Sequence, residues 1–163
     1  MITIKQVKKE QIINLRHDIL REGQPVKNAD FEGEDKKGTI HLGYFDENEK
    51  IVGCVTMLVT ARTDLESIPQ YRLRGMAVDK QHQNKLVGTA LIKMAEFTAL
   101  NNEVSCIWLN ARQNAVDFYL KQGFKIKGQP FEIESIGTHF QMVKYIKEQG
   151  CNCCGNNSHP NQK

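Results

Sequence analysis

The sequence predicts a mixed α/β (α+β) domain in which helices flank a central sheet. Three observations support this. Segments with alternating apolar residues, the period of a half-buried strand, take turns along the chain with segments whose apolar residues recur at helical spacing. The 163 residues are 40% hydrophobic, which suits one ordinary core. No internal repeat and no second domain is visible, so residues 1–148 read as one domain and 149–163 as a polar, Cys-rich tail.

The elements follow in order. "ITIKQV" alternates as a short strand, and Glu10 to Glu22 form a helix with Ile12, Leu15, Ile19 and Leu20 on one face. From Gly23 to Gly38, "GQPVKNADFEGEDKKG" carries proline, glycines and many charges, which is loop chemistry; loops this long either link elements through solvent or cover sites. "TIHLGYF" and "KIVGCVTMLVT" flank the turn "DENE" as a hairpin, and "YRLRGMAV" reads as a further strand. A helix runs from Val87 to about Leu100. "VSCIWLNA" is almost continuously apolar, as a strand buried on both faces should be. "AVDFYLKQ" is a short helix stopped by Gly123, and "FKIKG", "FEIESIG" and "THFQMVKYI" are closing strands.

Charge and composition exclude several classes. A net charge of +3 without Lys/Arg runs or interleaved aromatics argues against a dedicated nucleic-acid binder. No apolar run approaches the roughly 18 residues of a membrane span. "MITIKQVKKE" lacks the apolar centre of a signal peptide, so the chain reads as cytoplasmic. Five cysteines, an odd number, fit reduced thiols better than a secreted disulfide framework. In the tail, Cys151, Cys153, Cys154 and His159 are possible soft ligands, but the adjacent Cys153 and Cys154 do not easily serve one tetrahedral centre, and no metal is expected. Nothing in the sequence excludes a homodimer.

One junction carries chemistry. In "VDKQHQNKLVGTAL" a strand feeds through a polar turn into a helix, whose first backbone N–H groups are left without intrahelical partners. Such a turn is an anion site, with a phosphate or pyrophosphate as the natural guest. Gly88 allows close approach of the ligand, Thr89 adds a hydroxyl and Lys85 a positive charge. Val87, Ala90, Leu91 and Met94 supply the packing face that mounts this turn on the domain.

The run "MAV", then "QNKLVG" opening a helix, then a buried strand and "AVDFYLKQGF", resembles the GNAT superfamily of acyl-CoA-dependent N-acetyltransferases. The resemblance is strongest from Arg72 to Phe124. It implies a mostly antiparallel, twisted sheet splayed at a cofactor cleft, acetyl-CoA as co-substrate and an amine as acceptor. It also implies that Met76, Ala77 and Val78 pair their backbone with the pantetheine arm, and that Gln83, Asn84, Lys85, Leu86, Val87, Gly88 and Thr89 hold the pyrophosphate. Tyr119 takes the position of the general acid. Two departures stand out. Leu86 and Asn84 occupy positions where the family favours glycine, and Arg112 stands where many relatives carry Asn, with Asn110 as the replacement polar contact.

The base is less visible. Arg72 and Arg74 stand on the strand where some relatives place a carboxylate; they either attract an acidic substrate group or form a solvated face. His139 in "IGTHF" is the leading candidate because imidazole exchanges protons near neutral pH. A histidine in an apolar-rich segment is also a common structural residue. Glu32 and Glu34 in the long loop are weaker candidates. Two functions follow: an N-acetyltransferase acting on a small-molecule or peptide amine, or a non-catalytic acyl-CoA-binding module that kept the fold, the latter favoured by Leu86.

Overall fold

The structure, a computed structural model, describes residues 3–65 and 68–146. The Cys-rich tail, with its expected lack of metal, lies outside the described residues. Eight strands form one sheet: β1 (Thr3–Val7), β2 (Ile40–Phe45), β3 (Ile51–Leu58), β4 (Gln70–Val78), β5 (Cys106–Arg112), β6 (Lys125–Ile126), β7 (Phe131–Ile133) and β8 (Gly137–Tyr145). The helices are α1 (Lys9–Leu20), α2 (Val87–Asn101) and α3 (Val116–Lys121). Strand order is β1-β2-β3-β4-β5-β8-β6, with β7 also on β8, and only β4 and β5 run parallel. The expected mixed, mostly antiparallel sheet is therefore present.

Each face of the sheet has its own core. On one, Leu91, Ile92, Ala95 and Ala99 of α2 pack with Leu42, Val55, Leu73, Ile107 and Leu109, and Tyr119 of α3 joins them. On the other, Ile12 of α1 packs with Val7, Phe45, Cys54 and Ala77. Strand β5 is buried on both faces as its apolar run requires: Ile107 and Leu109 belong to the α2 core, while Cys106 and Trp108 pack with Leu65 and Val143. Differences from the sequence reading fall at the ends. Helix α1 stops at Leu20 rather than Glu22, and "FKIKG" and "FEIESIG" shrink to strands of two and three residues. Both lie beside β8, whose length lets two short strands share it.

Strand β4 has an irregular centre. Cys54 faces Ala77 and Thr56 faces Arg74, so Val55 alone opposes Gly75 and Met76, a β-bulge. The extra residue resets the alternation of side chains. Tyr71 and Leu73 before the bulge, and Met76 and Val78 after it, all meet the α2 core, whereas Ala77 faces α1. Gly75 sits at φ +65°, and a Cβ there would meet Arg16 Cδ and Phe31 Cε2 at 2.7 Å each. Gly75→Ala should therefore cost about 2 kcal/mol or more, seen as a fall in Tm of roughly 4–8 °C in thermal unfolding. An unchanged Tm would show that the bulge does not depend on glycine.

Candidate active site

Strands β4 and β5 pair only at Gln70, Tyr71 and Arg72, opposite Cys106, Ile107 and Trp108. Beyond Arg72 the edge of β4 that faces β5 has no strand partner, and the two strands diverge. Two hollows fill the gap. A groove of about 730 Å³ runs from Met76 and Val78 to the start of α2, within the usual size of a small-molecule site. A smaller cavity of about 200 Å³ lies toward Phe31 and His139. They share one wall, made by Leu20, Met76, Arg112, Ala115 and Tyr119.

The groove ends on the junction noted in the sequence. The first helical bond of α2 is Ala90 N–H to Leu86 C=O at 2.9 Å, and Leu86 supplies no side-chain cap. The N–H groups of Val87, Gly88 and Thr89 therefore lack helical partners and stand at the positive end of the helix. Asn84 and Leu86 both take positive φ, 59° and 61°. Asparagine adopts this conformation readily; leucine does so at about 1–2 kcal/mol. Leu86 is 75% exposed, so burial of its side chain does not offset that cost. The turn thus keeps the backbone path that glycine would take. Gly88 has a second duty, since a Cβ there would lie 3.1 Å from Phe118 Cζ.

Gln83, Asn84, Leu86, Val87, Gly88 and Thr89 line the groove with Met76, Val78 and Tyr119, as the sequence reading grouped them. Three expected residues lie elsewhere. Ala77 is only 1% exposed and faces α1, because the bulge turns it away. Lys85 lines a separate hollow with Asp46 and Asp79. Asn110 lines the smaller cavity, where its Oδ1 is buried without a hydrogen-bond partner among the described residues.

Tyr119 is nearly buried between the two hollows, edge-on to Phe118 and Phe124 at ring-centroid distances of 5.0 and 5.7 Å. Its hydroxyl makes no hydrogen bond to another described residue, and burial pushes its pKa up, so the phenol stays protonated at neutral pH. His139 lies across the smaller cavity, opposite Arg112 in β5 and beside Phe131 of β7. Its Nδ1 is 2.7 Å from the carbonyl oxygen of Gly137. A carbonyl only accepts, so Nδ1 carries the proton and Nε2 keeps its lone pair.

The long loop supplies the remaining wall. Arg16 and Glu34 form a fully buried ion pair, and the second Glu34 oxygen accepts from the Phe31 N–H at 3.0 Å. That pair occupies Glu34 and removes it as a base, while Glu32 is exposed to solvent. Phe31 is thereby fixed with Arg74 over its ring at 4.3 Å and Arg16 at 4.7 Å. Arg72 stacks on Trp108 at 4.9 Å. Arg21 and Arg112 each donate to the Leu20 carbonyl at 2.9 Å, at the end of α1. Burial lowers the pKa of Arg21, Arg72 and Arg74, and neighbouring arginines lower Arg21 and Arg74 further. Sequence reasoning placed neither Phe31 nor Arg21 in the site. Arg21 is the C-cap of α1, outside the helix, and Phe31 stands in a loop, so neither carried a local periodic signal.

Known proteins are similar to this chain in sequence and in fold. Residues 37–126 match the model of an acetyltransferase (GNAT) domain. The uncharacterized N-acetyltransferase YitI of Bacillus subtilis (strain 168) is 31% identical over 147 residues, covering 90% of this chain and 98% of that protein. An aminoglycoside 6'-N-acetyltransferase solved with coenzyme A superposes with a TM-score of 0.73 at 16% identity, over 90% of this chain and 98% of that one. Ard1 from Thermoplasma volcanium does so with 0.73 at 18%, over 90% and 99%. With more than half its length matched by the family model and a relative matched almost end to end, the chain belongs to the GNAT superfamily and is an acyl-CoA-dependent N-acetyltransferase.

Proposed function

We propose that the protein moves the acetyl group of acetyl-CoA directly to a primary amine, at the wall shared by the groove and the smaller cavity. The observation that carries this reading is that Met76 and Tyr119 border both hollows, so a thioester reaching the end of the groove meets an amine in the cavity. The pyrophosphate rests on the free N–H groups of Val87, Gly88 and Thr89, and the pantetheine arm follows the unpaired edge of β4 as an added strand.

The amine nitrogen attacks the thioester carbon and a C–N bond forms. A backbone N–H at or beside Met76 stabilises the charge that develops on the carbonyl oxygen. The surplus proton on nitrogen passes to His139 Nε2, directly or through water. The C–S bond then breaks with its electron pair on sulfur, and Tyr119 protonates the departing thiolate. A phenol kept neutral by burial suits this donor role. The binding-only alternative loses its footing, because Leu86 takes the positive φ that the turn needs. Cys54 and Cys106 are free, buried thiols, which suits a reducing cytoplasm.

Thr89→Asp tests the cofactor placement. A carboxylate in the first turn of α2 favours the helix and can keep the 3.2 Å contact from Gln122 Nε2, yet it repels a pyrophosphate. Unfolding should therefore be unchanged or shifted up, while calorimetry shows acetyl-CoA affinity falling at least tenfold, about 1.4 kcal/mol. Unchanged affinity would move the pyrophosphate elsewhere.

Tyr119→Phe removes one hydroxyl and little volume. CoA release in the presence of an accepted amine should slow by about 10²- to 10⁴-fold at unchanged acetyl-CoA affinity, because the lost contact acts in the transition state. Normal turnover would take Tyr119 out of the reaction.

His139→Gln should lower kcat/KM by about 10²-fold and remove the loss of activity toward acid pH that protonation of a base produces. A pH profile that overlays the parent's would leave His139 as a wall of the cavity.

A further inference from the structure

The smaller cavity has a one-sided charge. Arg21, Arg72, Arg74 and Arg112 all line it, and among the described residues neither Asp nor Glu does. None of the four forms a salt bridge among the described residues, in contrast to Arg16 with Glu34 and Arg62 with Asp64. Arg72 Nε is buried without any hydrogen-bond partner. Packing explains only part of this. Arg72 lies over Trp108 and Arg74 over Phe31, and neither guanidinium donates a hydrogen bond to another described residue, so their N–H donors remain unspent. Arg21 and Arg112 each spend one donor on the same Leu20 carbonyl, which holds two like charges side by side.

Gathering four half-buried cations with no ion-pair partner among the described residues is unfavourable unless a ligand supplies one. Guanidinium forks match carboxylate and phosphate oxygens in geometry. A polycationic acceptor would instead add like charge to the cavity. Resting on the acetyl-transfer reading above, we propose that the acceptor is a small amine that carries an oxyanion, carboxylate or phosphate, and that Arg72 and Arg74 bind this group while the amine faces Met76 and Tyr119. The aminoglycoside 6'-N-acetyltransferase that shares the fold does not predict the acceptor of this chain. The buried Asn110 Oδ1 offers the amine an acceptor inside the same cavity.

The test compares matched amines: glycine and β-alanine against glycinamide and β-alaninamide, O-phosphoethanolamine against ethanolamine, and spermidine and kanamycin as polycations. CoA release from acetyl-CoA is measured for each, and the same compounds are titrated calorimetrically into CoA-loaded protein. The carboxylate and phosphate arms tell the two oxyanions apart. At least one anionic member should exceed its uncharged partner by about 100-fold in kcat/KM or in affinity. Arg74→Gln should erase most of that preference through KM, with acetyl-CoA affinity unchanged, and Arg74→Lys should restore part of it. Thermal unfolding of both variants shows whether the fold is intact; if Arg74→Gln unfolds, Arg72→Gln takes its place. Preference for uncharged or polycationic amines, or anionic members that bind no better than their partners, overturns the proposal while leaving acetyl transfer standing. Anionic amines that bind CoA-loaded protein but never release CoA would support the anion site and overturn the acetyl-transfer reading instead.

Discussion

The parting of β4 from β5 after Arg72 is the constraint on which the rest of the site depends. Two parallel strands that stayed paired would present a continuous sheet, with no gap for a ligand and no free backbone edge. Pairing ends at Arg72, shortly before the bulge at Gly75 and Met76 on the β3 side of the strand. The same bulge sends Met76 and Val78 toward α2, where the groove runs, and leaves Arg72 and Arg74 beside the aromatic rings of Trp108 and Phe31. One inserted residue therefore divides the cleft between a backbone-lined half and a cationic half.

A second constraint keeps the cationic half in shape. The Arg16–Glu34 pair has both side chains fully buried, and removing one partner of such a pair typically costs about 3–5 kcal/mol. Its value here is positional. Arg16 comes from α1 and Glu34 from the long loop, so the pair ties the loop to the helix and sets Phe31 against Gly75, where a Cβ would collide with both. The arginines then arrange themselves around a ring whose place is fixed.

Much of the fold was legible because burial writes itself into periodicity. The doubly buried β5, the amphipathic α1 and α2, and the order of strands around the polar turn were all readable from the chain. The groove residues were legible as one contiguous motif. What resisted reading depended on three-dimensional facts without a local signature. Ala77 sits between Met76 and Val78 in sequence, yet a bulge elsewhere in the strand decides which face it takes. Lys85 neighbours the pyrophosphate turn, but two positive-φ residues around it turn its side chain to another hollow. The arginine cluster is assembled from α1, β4 and β5, about ninety residues apart, and no window of sequence contains it.

In the proposed reaction the two halves of the cleft face opposite electrostatic demands, which Tyr119 on their shared wall would reconcile. The groove end needs a proton donor for a thiolate, and burial among Phe118 and Phe124 keeps the phenol neutral and ready to donate. The cavity end needs an uncharged amine as nucleophile, although amines in water are mostly protonated near neutral pH. Surrounding cations disfavour an ammonium ion, so the arginines that would hold an acceptor's oxyanion also help its nitrogen to shed a proton toward Nε2 of His139. An oxyanion held in the guanidinium forks screens part of that field, and how much depends on its distance from the amine. If the acceptor is an anionic amine as proposed, its geometry, with the anion far enough from the amine to leave the nitrogen under cationic influence, is thus a catalytic requirement as well as a recognition one.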